Sequence, residues 1–274
     1  MKASVSAWCL QSRLFSKELS IYDFIDICRA REIKYVELLD LFFESDSEVE
    51  KVRDYIRNFG MGISAYSVVN DFVQPEGSAR KEQIDSVKCG IDRACTLGTG
   101  IVRIFSGNFR EGIGFEMERK WIVDGFIEVS KYAEENGIII VLENHGLFAG
   151  KSSQIKSLID EVASPNFKAN TDTGNFILVN ENPLEAVRAL KDVIGFVHFK
   201  DFKEATSNEA YYDSLDGRRY KGVALGEGEV PLNAIVNFLH GNGYNGYLSI
   251  EYEGTGDPIE GTKQCIDYLK SIIV

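Results

Sequence analysis

Two apolar runs of this 274-residue chain end in a carboxylate: IIIVLE closes on Glu143 and YLSIE on Glu251. Between them, FKANTD leads to Asp172 and GFVHF carries His198. A charge at the end of a hydrophobic strand costs several kcal/mol unless it finds a partner. Two glutamates, one aspartate and one neutral imidazole converging on one place form a hard, mostly oxygen shell, for which a single divalent cation is the economical partner. Mn²⁺ is the first expectation, with Mg²⁺, Co²⁺, Fe²⁺ or Zn²⁺ as other fits, rather than a structural zinc site rich in Cys and His.

Convergence needs a scaffold that brings the ends of distant segments together. Short β-branched runs alternate with stretches of helical period, which argues for βα units and a parallel sheet. Strands are expected over 3–9, 35–39, 62–69, 101–105, 138–143, 167–171, 195–199 and 247–251. Eight units in 274 residues is about 34 residues each, enough for a strand, a loop and a crossover helix. The expected fold is therefore α/β, a (β/α)8 TIM barrel forming a single domain over 1–274. Ile122, Phe126, Val129 and Ala133 mark one buried helical stripe that stops at Gly137, and Asp257 with Pro258 opens the last helix. In such a barrel the chemistry sits at the C-terminal strand ends. Those positions hold Glu37, Arg103, Glu143, Asp172, His198 and Glu251.

One connection is far longer than the usual two to six residues. Residues 202–230 hold Tyr211, Tyr212, Arg218, Arg219, Tyr220 and Lys221, which suits a lid or wall over a polar substrate, or a surface used in subunit packing. A second candidate wall, 70–80, begins near Phe72.

The segments VLENHG, NTDTGN, VHFKD and SIEYEG fall in order on the fifth to eighth strands. Together they resemble the xylose isomerase-like TIM-barrel superfamily of sugar isomerases and epimerases. The resemblance implies Glu143, Asp172, His198 and Glu251 as ligands of one metal, and the two glutamates as acid and base on opposite sides of a substrate. The chemistry agrees: a metal that grips a sugar carbonyl and its neighbouring hydroxyl stabilises the enediolate left when an α proton departs. The expected function is a divalent-metal-dependent keto-sugar isomerase or epimerase. Loss of a group from the adjacent carbon would make the same enolate chemistry a lyase, as in relatives that dehydrate keto-inositols or cleave carbon-linked 3-keto-glucosides with a small partner subunit. A non-catalytic sugar-binding barrel is the third reading. Ketose epimerases of this kind carry a His three residues after the metal-binding Asp and an Arg six after the metal-binding His. Here those places hold Asn175 and Glu204.

Alternation along a strand makes i and i+2 share a face. His145, two beyond Glu143, is thus a candidate general base, or else a hydrogen-bonding partner of its own loop. Lys200, two beyond His198, is a candidate to polarise the carbonyl, or else simply neutralises Asp201. Trp8 is expected to stack on a sugar ring, with Asn175 and Phe72 as further substrate contacts. Glu37 and Arg103 either touch substrate or pair across the barrel. Trp121 is expected in the barrel–helix core, and His240 at a helix C-terminus as a dipole partner. GEGEV, with Gly226 and Gly228, is too weak a pattern for a phosphate cradle.

A net charge of -12 repels phosphate backbones and anionic lipid, so neither nucleic acid nor membrane is an expected partner. That charge and a total of 3 His also argue against the three-zinc endonucleases built on the same barrel. Five scattered cysteines without a CxxC pair read as reduced thiols, and with no signal-peptide pattern they predict a cytoplasmic protein. The expected partner is a small sugar or keto-sugar. The resemblance adds a homo-oligomer or a small partner subunit.

Overall fold

The computed structural model describes residues 1–113, 115–146, 148–206 and 211–273. Seven parallel strands come first: β1 (Lys2–Ser6), β2 (Tyr35–Leu39), β3 (Gly62–Ser67), β4 (Ile101–Ile104), β5 (Ile139–Glu143), β6 (Phe167–Asp172) and β7 (Ile194–Phe199). The long connection then forms a three-stranded antiparallel sheet, β8 (Asp201–Glu204), β9 (Tyr212–Asp213) and β10 (Arg219–Val223), before β11 (Tyr247–Ile250) closes the barrel between β7 and β1. Residues 207–210, within that connection, lie outside the described ones. The expected (β/α)8 barrel is therefore the observed fold, and it covers the chain.

The helices are α1 (Gln11–Phe15), α2 (Ile21–Ala30), α3 (Asp46–Asn58), α4 (Gly77–Leu97), α5 (Phe115–Glu135), α6 (Ser152–Val162), α7 (Asn175–Leu178), α8 (Pro183–Leu190), α9 (Leu232–Gly241) and α10 (Pro258–Ile272). Their ends follow local chemistry. The Asp257 carboxylate accepts the N–H groups of Ile259 and Glu260 at 3.0 Å each, and Pro258 occupies the first turn of α10, where a missing N–H costs nothing. The buried face of α10, Thr262, Cys265, Ile266 and Leu269, then packs into the core. At the end of α4, Gly98 adopts φ +78°, a left-handed conformation that glycine reaches without strain.

Strand alternation divides the apolar residues between two cores. One set packs between the strands and the helix layer, including Val36, Ile104, Leu142, Phe199 and Ile250. The other, Ala65, Val141 and Phe196, plugs the barrel interior. Above that plug the interior turns polar: Ser4 and Ser64 share a hydrogen bond at 2.7 Å, and Ser249 stands 3.5 Å from Ser4.

Three expectations shift with this packing. The first strand stops at Ser6 rather than at residue 9, because Ser6 Oγ accepts the Trp8 N–H and starts a 3₁₀ turn over Ala7–Leu10. Phe72 is not a substrate wall. It is buried, 5.6 Å from the Phe126 ring, against a part of α5 where Gly125 leaves room for it. Trp121 is half-buried rather than in the core, with the Arg80 guanidinium 4.5 Å over its ring. Among the described residues no helix is long and apolar enough to cross a membrane, and all five cysteines are free thiols.

Loss of the α10 cap sets a direct test. Asp257→Ala should lower stability by about 1 kcal/mol. A scanning calorimeter should then find the melting temperature down by roughly 2–4 °C, while Asp257→Ser should recover most of the loss.

Candidate metal centre at the barrel mouth

Glu143, Asp172 and His198 stand at or next to the ends of β5, β6 and β7, and Glu251 follows β11 directly. All four are buried, and one ligand atom from each lies within 4.8 Å of every other. The imidazole is held from below. His198 Nε2 stands 3.0 Å from both oxygens of Glu37, and Glu37 in turn accepts hydrogen bonds from Ser67 and Ser249 at 2.5 and 2.7 Å. A carboxylate on the far nitrogen fixes the ring's tautomer and turns Nδ1 toward the cluster.

Nδ1 lies 3.2 Å from Glu143, 3.8 Å from Glu251 and 4.0 Å from Asp172. Among the described residues it makes no well-formed hydrogen bond, and Asp172 Oδ2 has the Lys200 ammonium beside it. The other oxygen, Asp172 Oδ1, accepts the N–H groups of Gly174 and Asn175 at 2.9 Å each. That turn in TDTGN leaves one oxygen free to face the cluster. Two buried ligand atoms aimed at one point among the carboxylates, His198 Nδ1 and Asp172 Oδ2, fit a divalent cation, with Glu37 as the carboxylate behind the imidazole.

The electrostatics follow from the crowding. Burial alone would raise Glu143, but His198 and Arg103, whose Nε is 3.3 Å away, outweigh it and hold the carboxyl below its usual range. Burial raises Asp172, and pushes Glu251 up to about 7 against the pull of Lys200 and His198. Burial lowers His145, favouring a neutral imidazole. Burial would lower Lys200, but Asp172, Glu251 and Glu253 hold it well above its usual value as an ammonium. Lys200 Nζ lies 3.2, 2.6 and 3.3 Å from those three carboxylates.

The mouth opens into two adjoining cavities. The smaller, about 70 Å³, is lined by Trp8, Arg103, Phe105, Glu143, His145, Lys200, Glu251 and Glu253. The larger, about 260 Å³, shares His145, Lys200 and Glu253 with it and reaches under the long connection. Asn175 reaches both Glu143, at 3.4 Å, and the Asn144 carbonyl, at 3.1 Å, so it stands at this mouth as expected.

Other expectations give way. Of its two expected roles Glu37 takes the cross-barrel pair, fully buried beneath His198, and not the substrate contact. Lys200 does not neutralise Asp201. Successive strand residues face opposite ways, and Asp201 accepts the N–H groups of Gly226, Gly228 and Val230 at 2.9, 3.0 and 3.1 Å. GEGEV therefore cradles an anion, the chain's own Asp201, and a Cβ at Gly228 would collide with that carboxylate. Glu204 pairs with Tyr220 on the small sheet, outside both cavity linings. Of the aromatic and basic residues of the long connection, Phe202 and Tyr212 line the larger cavity. Arg218 instead binds Asp216 and covers Tyr220, and Arg219 covers Tyr211.

The sequence reading missed Glu253. It accepts from Trp8 Nε1 at 2.7 Å and pairs with Lys200, and it stands two residues after Glu251, the same alternation that singled out His145. It also missed Phe105, whose ring lies 4.6 Å from that of His145, and Asn144, which exchanges hydrogen bonds with the backbone of Asp172.

A barrel of eight parallel strands with three carboxylates and one imidazole at its mouth defines the class. The chain belongs to the xylose isomerase-like TIM barrel family, which matches residues 25–272. An inosose dehydratase from Clostridium perfringens is 25% identical over 175 residues, which is 61% of this chain and 58% of that enzyme. The matched stretch thus spans under two thirds of the relative's length. Among solved structures, the IOLI protein with a bound zinc atom superposes with TM-score 0.81 at 17% identity, over 100% of this chain and 98% of that one. An L-ribulose 3-epimerase gives TM-score 0.80 at 16% identity, over 99% and 94%. These structural likenesses show the fold.

The Asp201 cradle predicts a local effect. Asp201→Ala strands three N–H donors and should cost about 3 kcal/mol. Limited proteolysis should then cut within 211–230 far faster than in the wild type. Unchanged cleavage would show that the long connection is held by other contacts.

Proposed function

We propose that this chain is a divalent-metal-dependent enzyme that removes a proton next to the carbonyl of a keto-sugar or keto-polyol. Glu143, Asp172, His198 and Glu251 hold the metal, with Mn²⁺ as the preferred ion. The observation that carries this reading is one small cavity lined at once by Glu143, Glu251, His145, Lys200 and Arg103. A cation held there would stabilise the negative charge that grows on a substrate carbonyl oxygen as the adjacent C–H ionises.

The protein's own groups do the rest. One carboxylate of the Glu143/Glu251 pair takes the α proton, and Arg103 keeps Glu143 ionised for that task. The Lys200 ammonium donates to the developing oxyanion. Trp8, fixed by Glu253, gives the sugar ring an apolar face to rest on, and Asn175 holds the Glu143 carboxylate in place.

Two fates of the enolate divide isomerisation from elimination. If the second carboxylate returns a proton to carbon, the product is an epimer or an isomer. If the proton taken by the carboxylate is relayed instead through the neutral His145 imidazole to a hydroxyl on the adjacent carbon, the C–O bond breaks, water leaves and the enolate electrons form the new double bond. The inosose dehydratase likeness supports the second fate. So does the absence of the epimerase His and Arg, since Asn175 and Glu204 stand in their places.

Metal binding is tested first by melting. Mn²⁺ at a hundredfold excess over its Kd should stabilise the EDTA-treated protein by about 2.7 kcal/mol. His198→Ala should abolish the shift, and Glu37→Gln should weaken metal affinity by about 10- to 100-fold. No shift from any divalent ion would sink the mechanism. A keto-sugar and inosose screen in D₂O then separates the fates, because elimination yields a product lighter by one water whereas isomerisation conserves mass and incorporates deuterium. Glu143→Gln and Glu251→Gln should each lower turnover by roughly 10²–10⁴-fold.

A further inference from the structure

The two imidazoles of the mouth are held in different ways. His198 is fixed by the Glu37 carboxylate on one ring nitrogen, which suits a ligand, because a ligand uses the other nitrogen alone. A proton relay needs both. One nitrogen takes the proton from the carboxylate, the other gives its own away, and the ring ends neutral. A hydrogen bond to the protein would occupy one of the two. Among the described residues no hydrogen bond ties down the His145 ring; it packs instead 4.6 Å from the Phe105 ring, tilted by 44°. Aromatic packing sets the direction of an imidazole while leaving both nitrogens free.

The Phe105 ring must then be fixed itself, although it stands just beyond β4, which ends at Ile104, and beyond the end of β3 at Ser67. Past those ends the two chains are joined by the Val68 N–H on the Arg103 carbonyl at 2.9 Å and the Phe72 N–H on the Ser106 carbonyl at 3.4 Å. The Asn70 side chain fills the gap between these bonds. Its Oδ1 accepts the Phe105 N–H and its Nδ2 donates to the Phe105 carbonyl, both at 2.8 Å. One buried carboxamide thus does for Phe105 what a neighbouring strand would have done. The Arg103 guanidinium carbon lies 4.1 Å from the centre of the same ring, so Phe105 touches both the imidazole and the cation that pairs with Glu143.

We propose that Asn70 is a positioning residue for the reaction: by pinning the backbone of Phe105 it fixes the ring against which His145 is set, and with it the direction of both imidazole nitrogens. The proposal rests on the relay role given to His145 above. The neighbouring Asp71 separates this role from simple loop anchoring. Its carboxylate accepts the N–H groups of Val73 and Asn108 at 2.9 and 3.0 Å and the Arg110 guanidinium at 2.8 Å, so the loop after β4 stays held when Asn70 is changed.

Proton NMR of the Mg²⁺-loaded protein reads the imidazole directly, because the chain has 3 His and His145→Gln assigns the signal of His145. The ring current of Phe105 should displace the His145 ring protons from the position of a free imidazole, and Phe105→Leu should return them to it. Asn70→Ala should move the signal most of the way, and Asn70→Asp, which still accepts the Phe105 N–H, by less. Should Asn70→Ala fail to fold, Asn70→Asp carries the same test. The second readout is an inosose in D₂O. Asn70→Ala should slow the loss of water by about 10²-fold, while exchange of the α proton, which needs only the carboxylate pair, keeps its wild-type rate. A His145 signal that the Asn70 variants leave in place would overturn the proposal, as would equal losses of exchange and elimination, the mark of general damage to the fold. A wild type that eliminates no water from an inosose would count against that fate of the enolate, and the imidazole signal alone would then decide the positioning.

Discussion

Charge confined in a dry place governs this molecule. Glu37, Glu143, Asp172 and Glu251 crowd the barrel mouth nearly shut off from solvent, where an uncompensated carboxylate costs several kcal/mol. Arg103, Lys200 and His198 are the cations set against them, and each contact reflects that shortage. Arg103 leans on Glu143, Lys200 reaches three carboxylates, and His198 is gripped on one nitrogen by Glu37 while the other faces Glu143. A cation held there would relieve the imbalance among these buried carboxylates.

The barrel interior is graded to support this. An apolar plug of Ala65, Val141 and Phe196 sits below, a layer of serine hydroxyls above it, and the ionised cluster at the top. Serine is small and can donate as well as accept, so Ser67 and Ser249 supply the donors that Glu37 needs without filling the space the imidazole occupies.

Lys200 and Asp201, neighbours in sequence, take opposite parts because a strand turns successive side chains to opposite faces. Lys200 faces the carboxylate cluster. Asp201 gathers three backbone N–H groups and thereby fixes where the long connection returns. Through Tyr212 and Leu215 that connection walls the larger cavity, so one strand end both supplies a site residue and anchors the wall beside it.

Much of this was legible in the residues. The alternation of β-branched and helical periods predicts eight βα units, and carboxylates closing IIIVLE and YLSIE predict a charged mouth, because both signals depend only on neighbours along the chain. The α10 cap was readable for the same reason. Other facts needed the folded molecule. Phe72 reads as a loop aromatic until Gly125, over fifty residues away in sequence, gives it a core position. Glu37 reads equally as a substrate contact or a cross-barrel partner until β2 and β7 are placed across the barrel and His198 stands above it. GEGEV reads as a weak phosphate pattern until the turn after β7 presents Asp201 to it. Period and composition determine which elements form and which residue types close them, whereas the partner of each buried charge is decided by distances between strands far apart in sequence, which only the closed barrel sets.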